Sequence, residues 1–295
     1  MEKCILFRSS GAQFSPLTTI SVNPDGRRLA CGTTDGSIFL IDSKSGRLKR
    51  TLKGHEGMVS AVTFLGSGRL LLSAGWDKTT RIWDCIEGKC RYSLRHSDQV
   101  KALATWEKSQ KGSAGSRDGE VKIFSTKALK TLRNIHAHGA DLSGLVFVGD
   151  GSQLVSISWD GECKLWDLAS GAMLRRLAKS TERFRSIAAM PDGSRVFLGM
   201  HGGSILSLSL EHPREKSKMI GHSDAVTSLS VGPTGDLLLS GSSDRTLRLW
   251  SIADGTENAN LRVDSSVTSV AWAASGGVFY SADFSGALIG WNPQE

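Results

Sequence analysis

Several kinds of chemistry leave no mark on this chain of 295 residues. No apolar run approaches the ~20 residues that a helix needs to cross a bilayer, so no membrane span is expected. There is no Gly-rich loop followed by Lys-Ser or Lys-Thr, no His-Glu-x-x-His, and no cysteine pair repeated at zinc-ligand spacing. A phosphate loop, a metalloprotease centre and a zinc site are therefore not expected, nor is any other cofactor. Helical periodicity of useful length is also missing. Cysteines number five, an odd count, and the first ten residues carry no apolar core of a secretory signal. That predicts a reducing, intracellular setting, cytoplasmic with the nucleus also open. Cys85 and Cys90 bracket the turn 86–89 and read as two free thiols on a hairpin.

Lysine disappears from residue 220 onward, where three Arg stand against eight acidic residues, a net −5. The overall charge is +7, so the preceding residues carry +12. The basic stretches are 44–53, 108–133, 175–185 and 214–218. Such asymmetry makes one side of a molecule attractive to acidic partners.

What the chain does have is a register. His55 is followed by Ser73, Asp77 and Trp83 at offsets of 18, 22 and 28. His138, Ser156, Asp160 and Trp166 repeat those offsets, and so do His222, Ser240, Asp244 and Trp250. The chain is thus an array of units of 41 or 42 residues, and seven of them nearly exhaust it. A period of about 40–45 residues with four short strands per unit is the mark of propeller blades. The sixth unit shows the plan. Residues 226–231 alternate apolar and polar, residues 237–241 form a short apolar strand, residues 246–251 alternate again, and an outer strand runs to Leu261. Between the first and second strands stand turn sequences such as Pro24-Asp25-Gly26 and Pro191-Asp192-Gly193, where glycine supplies the positive φ that hairpins demand.

These residues resemble the WD40 family. Gly54-His55 and Gly221-His222 match its Gly-His element, Trp83-Asp84 and Trp166-Asp167 its Trp-Asp element, and Trp250-Ser251 and Trp291-Asn292 are softened forms. The likeness covers essentially the whole chain. It implies one all-β domain over 1–295, a seven-bladed β-propeller of four-stranded antiparallel blades. The repeats fall near 13–54, 55–95, 96–137, 138–179, 180–221, 222–262 and 263–295. The last unit ends without an outer strand, and residues 3–8 at the N-terminus offer a spare one. WD40 propellers close by such a pairing, which leaves no open sheet edge at the seam.

His222, Ser240 and Asp244 invite comparison with a hydrolase triad. An active site is normally built once, whereas this set occurs three times, each with a Trp six residues after the Asp. The resemblance implies another role: Asp accepts from His, His bonds Ser, and Ser bonds the indole N–H, which satisfies each buried polar group. Unit three keeps His96 and Asp118 but has Ala114 and Phe124. Unit one keeps Asp35, with Gln13, Cys31 and Ile41. Unit seven keeps Ser281 and Trp291, and unit five, with Ser180, Leu198, Gly202 and Leu208, keeps nothing. Blade five should then lean on apolar packing and its neighbours, and is where local mobility or a partner's support is expected.

The same resemblance places two loop sets at one end of the ring. The residue before the tetrad Asp points out there, and the series is Thr34, Trp76, Arg117, Trp159, His201, Ser243 and Phe284. The third and fifth residues after the tetrad His line the channel mouth. These include Met58 and Ser60, Gln99 and Lys101, Asp141 and Ser143, Arg183 and Arg185. Lys101, Arg117, Arg183 and Arg185 are therefore expected to converge across blades three to five, with Trp76 and Trp159 flanking them. Large aromatics and Arg dominate binding hot spots, and Arg offers bidentate bonds to carboxylate or phosphate. The expected partner is a protein or an acidic peptide carrying an aromatic anchor or a phosphate. Asp141 is the only acidic residue placed at the mouth, too few for a metal or an acid–base pair.

The expectation is a monomeric, non-catalytic scaffold or adaptor without a small-molecule substrate. Its alternative is a subunit of an RNA-containing particle held through the basic surface.

Overall fold

A computed structural model describes residues 2–9, 15–128, 130–212 and 214–292. Among these residues the chain forms 28 strands and a single 3₁₀ turn, Glu107–Ser109. The strands make seven four-stranded antiparallel sheets. Blade two shows the plan, with Val59–Leu65 innermost, then Leu70–Gly75, Thr79–Asp84 and Lys89–Arg95 outermost. Inner strands are rich in Val, Leu and Ala and buried on alternate residues, whereas the outer strand Lys89–Arg95 is almost wholly exposed. That gradient follows from the ring: inner strands are packed from both sides and outer ones from few.

The hydrophobic core lies between blades. Ala30, Ile38, Leu40 and Leu52 of blade one pack with Val59, Val62, Phe64 and Trp83 of blade two. The same arrangement joins blade one to blade seven through Leu17, Leu29, Tyr280 and Leu288. Blade seven is completed by the N-terminal strand Glu2–Arg8, antiparallel to Ala287–Asn292. Leu6 and Phe7 of that strand pack on the seam cluster, with Phe7 and Phe39 rings 5.5 Å apart. Gly46 makes the seam possible. Its φ is +67°, and a Cβ there would stand 1.8 Å from the Leu6 carbonyl oxygen.

One irregularity recurs in every blade. The pairing of the inner strand with the second strand slips at a single residue: Thr18, Ser60, Lys101, Ser143, Arg185, Thr227 or Thr268. A β-bulge leaves one residue unpaired and re-aims its side chain. Four of these residues use the freedom to tie the next blade. Thr18 donates to Val59 O (2.5 Å), Ser60 to Val100 O (2.7 Å), Ser143 to Phe184 O (2.7 Å) and Thr227 to Val267 O (2.6 Å). In blades three and five the same position holds Lys101 and Arg185.

Cys85 is buried, Cys90 is exposed, and both are free thiols. Gln13, at the histidine place of blade one, lies outside the described residues, as does Pro293.

Candidate functional site

The loops that carry the site are held by polar networks inside the blades. In blade two, His55 Nδ1 lies 2.8 Å from Asp77 Oδ2 and Nε2 lies 2.6 Å from Ser73 Oγ, which accepts from Trp83 Nε1 at 2.8 Å. Blade four repeats this with 2.9, 2.7 and 2.8 Å for His138, Asp160, Ser156 and Trp166. Blade six does so with the same three distances for His222, Asp244, Ser240 and Trp250. Asp77 and Asp244 accept further bonds from the backbone N–H of Glu56 and Ser223, so the loop before each of those inner strands is pinned. Burial by itself would raise the Asp77 carboxyl. The bonds from His55, the Thr79 hydroxyl and the Glu56 N–H outweigh that and hold the carboxyl well below the usual range. Burial likewise pushes His138 and His222 down against the pull of their aspartates.

Blade three departs from the plan. His96 and Asp118 are both present, yet His96 Nε2 bonds the Thr80 hydroxyl of blade two at 2.9 Å. Asp118 instead accepts from Ser97 and Ser116. With Ala114 at the serine place, the histidine has turned to the neighbouring blade for a partner.

A second set of bonds positions the mouth residues. In each blade the N–H of the residue ahead of the Asp place bonds a carbonyl just before the inner strand. Trp76 pairs with Met58, Arg117 with Gln99, Trp159 with Asp141 and His201 with Arg183, at 2.9, 2.9, 3.0 and 3.0 Å. Both loop sets are thereby brought together at one end of the channel. Phe284 is pinned in the same way to Ser266 at 3.0 Å, but on blade seven, three blades from Trp159.

The outcome is a row of alternating rings and cations. Lys101 Nζ lies 4.1 Å from the Trp76 ring centre and 5.9 Å from that of Trp159. Arg183 and Arg185 approach Trp159 to 4.9 and 5.4 Å. Trp159 thus stands among the cations rather than flanking them, because it projects from blade four between the inner strands of blades three and five. Cation–ring contacts of this kind are worth about 0.5–2 kcal/mol each, more as water is removed. Arg117 joins the row through Asp141, 3.8 Å away. Thr18, Met58, Ser60, Trp76, Lys101, Asp141, Trp159 and Arg185 enclose a cleft of about 340 Å³.

Asp141 is not the sole carboxylate here. Asp98 also acts on Lys101, and Asp224 acts on Arg185. Asp98 already faces Lys78 (3.6 Å) and Asp141 faces Arg117. Burial lowers the Lys101 ammonium, and the charges of Arg117 and Arg185 lower it further against the pull of Asp141 and Asp98. Burial lowers Arg185 in the same way, with Arg183 adding to it. Clustered, part-desolvated cations favour an incoming anion because each gains a partner stronger than the water it gives up.

A larger cleft, about 470 Å³, lies at the 3₁₀ turn, lined by Leu65, Arg69, Trp106, Lys111 and Lys127. Its polar groups are partly spent: Arg69 pairs with Asp84 at 3.1 Å, and Glu107 accepts from Gly66 N at 2.9 Å. No helix in the described residues is long and apolar enough to cross a membrane.

Seven radial sheets around a channel define a β-propeller. The chain belongs to the WD40 family, whose model (WD domain, G-beta repeat) matches residues 5–42, 46–84, 129–167 and 214–251. Among similar proteins is the guanine nucleotide-binding protein subunit beta of Oryza sativa subsp. japonica. It is 28% identical over 269 residues, covering 80% of this chain and 69% of that one. Telomerase protein component 1 of Rattus norvegicus is 29% identical over 258 residues, 81% of this chain but only 10% of the relative. Autophagy-related protein 16 of Arabidopsis thaliana is 21% identical over 288 residues, 97% of this chain and 49% of the relative. One fold serves differently named proteins, so function must be argued from the site.

Proposed function

We propose that residues 1–295 work as one propeller domain that holds protein partners without catalysing a reaction. The partner site is the mouth formed by Trp76, Arg117, Trp159 and Arg185, with Lys101, Arg183 and Met58 completing it and His201 beside it. Phe284 offers a separate apolar contact on blade seven. One observation carries this reading: two Trp and three cations are threaded into a single row over a cleft of about 340 Å³. Such a surface suits an acidic segment, with the rings supplying apolar area and the guanidiniums supplying hydrogen bonds to carboxylate. Family membership and the relatives named above support a binding role over a catalytic one. Five free cysteines support an intracellular setting.

The deciding experiment is the triple substitution Trp76→Ala, Trp159→Ala and Arg185→Ala. The variant should fold with an unchanged far-UV spectrum and lose its partners in affinity purification with mass spectrometry. A folded variant that recovers every partner removes this face from consideration. A second reading, a subunit of an RNA-containing particle, draws on basic side chains of the exposed outer strands, among them Arg91, Arg133, Arg176 and Lys218. Partners that vanish on nuclease treatment, with affinity falling steeply as salt rises, would favour it.

A further inference from the structure

The bulge residue of the inner strand is a short hydroxyl wherever it ties one blade to the next, as in Thr18, Ser60, Ser143 and Thr227. Lys101 and Arg185 break the series, and they do so differently. Arg185 has a substitute: Ser186 Oγ, one residue on, donates to Val226 O at 2.8 Å and keeps blades five and six tied. The arginine is therefore an addition to an intact seam. Lys101 is instead carried by its bulge between two indoles, 4.1 Å from one ring centre and 5.9 Å from the other. The face of an indole is negative, and what it attracts is a cation. The attraction is already met from within the chain.

We propose that Lys101 is the specificity-determining residue of this mouth. By occupying the Trp76–Trp159 cleft with its own ammonium, it closes the Trp76 face to a partner's cation, as Arg183 and Arg185 do for Trp159, and turns the site toward anions. The inference rests on the reading that the mouth is the partner site, and it adds what decides the sign of the ligand. Removing the lysine side chain back to the hydroxyl found in neighbouring blades opens a gap between two indole faces. That gap is bordered by Met58 and Asp141, an apolar wall and a carboxylate, with Arg185 remaining on the Trp159 side. Such a pocket takes a quaternary or primary ammonium. One side chain at one bulge thus decides whether the Trp76 face of the mouth is open to a cation.

The test uses two probes on the full chain, wild type and Lys101→Ser. The first is tetramethylammonium chloride, with sodium chloride at equal concentration as the ionic control. The second is an acetylated, amidated octapeptide of alternating Asp and Glu. Binding is read from the indole N–H resonances of Trp76 and Trp159, assigned through Trp76→Phe and Trp159→Phe. Tetramethylammonium should shift the Trp76 indole in Lys101→Ser with an affinity about tenfold above wild type, the size of one cation–ring contact. The peptide should bind wild type and weaken about tenfold in the variant. Equal tetramethylammonium binding in the two proteins, or none in the variant, overturns the role given to Lys101 whatever the peptide does. A peptide that fails to bind wild type while tetramethylammonium separates the two proteins overturns the acidic-partner reading and leaves the occupied cleft standing. Lys101→Thr, copying the residue of blades one and six, is the second variant should the serine protein be poorly folded.

Discussion

Removing one hydroxyl, Ser73→Ala, should cost far more than the oxygen's size implies. Ser73 is fully buried and holds two buried groups at once, His55 Nε2 at 2.6 Å and the Trp83 indole N–H at 2.8 Å. With His55 Nδ1–H given to Asp77, Nε2 is an acceptor. The serine therefore donates to the imidazole and accepts from the indole. Alanine leaves both without a partner where water does not reach. Each orphaned group costs about 1–3 kcal/mol, so the loss should be about 2–6 kcal/mol. In blade seven the corresponding Ser281 serves Trp291 alone among these groups, at 2.8 Å, and Ser281→Ala should cost about half as much. Blade three shows how the penalty is avoided at this place: Ala114 stands with Phe124, whose ring has no N–H to satisfy. Accordingly, Ser73→Ala combined with Trp83→Phe should lose about 1 kcal/mol less than the two single changes added. Urea unfolding followed by circular dichroism and tryptophan fluorescence gives these differences by linear extrapolation. Thermal unfolding should fall by roughly 5–10 °C for Ser73→Ala. A Ser73→Ala protein within about 0.5 kcal/mol of wild type, the range of ordinary surface changes, would refute the argument. So would one no weaker than Ser281→Ala.

Three further outcomes are expected elsewhere. Gly46→Ala drives a methyl into the Leu6 carbonyl at 1.8 Å, whereas Gly26→Ala, at φ +71°, meets nothing within 4 Å. Gly46→Ala should therefore lose at least about 1 kcal/mol more than Gly26→Ala, with faster amide exchange in the strand Glu2–Arg8; equal losses would refute ring closure as the cause. Deleting residues 1–8 should lower the melting temperature of the whole ring, and an unchanged one would count equally against closure. Burial pushes His96 down to about 4, with Lys122 adding to it and Asp118 opposing. The unfolded chain then takes up this proton first as pH falls below about 6.5, so its share of stability is whole above that pH and is lost toward pH 4. His96→Gln, which keeps a polar partner for Thr80, should show a shallower decline of urea midpoint between pH 7.5 and 4.5; parallel declines would assign the loss to other groups.

Much of this molecule is legible in one dimension. The fixed offsets from His55, His138 and His222 reveal the blades because a buried polar group must meet its partner at a set place, so the register cannot drift. The missing outer strand of the last unit and the spare one at residues 3–8 reveal the closure for a related reason, since an unpaired edge inside the seam would be costly. The positions expected to line the mouth follow from the resemblance to WD40 proteins, carried from blade to blade by the repeat. The hydroxyl belt is legible too, because Thr18, Ser60, Ser143 and Thr227 share a step of 41 or 42 residues with Lys101 and Arg185. What marks them is the bulge, and alternation along a strand does not show one extra residue.

Other features belong to tertiary structure alone. Trp159 stands among the cations, Lys101 lies between two indoles, and Asp224 reaches Arg185 because side chains from neighbouring blades meet there, while Asp98 reaches Lys101 within its own blade. His96 keeps its place in the repeat yet bonds Thr80, since losing the serine freed its ring to turn. Spacing determines which residues share a blade and an end. Which of them touch depends on how far each side chain leans across the gap between blades, and that gap is set by the packing of the whole ring.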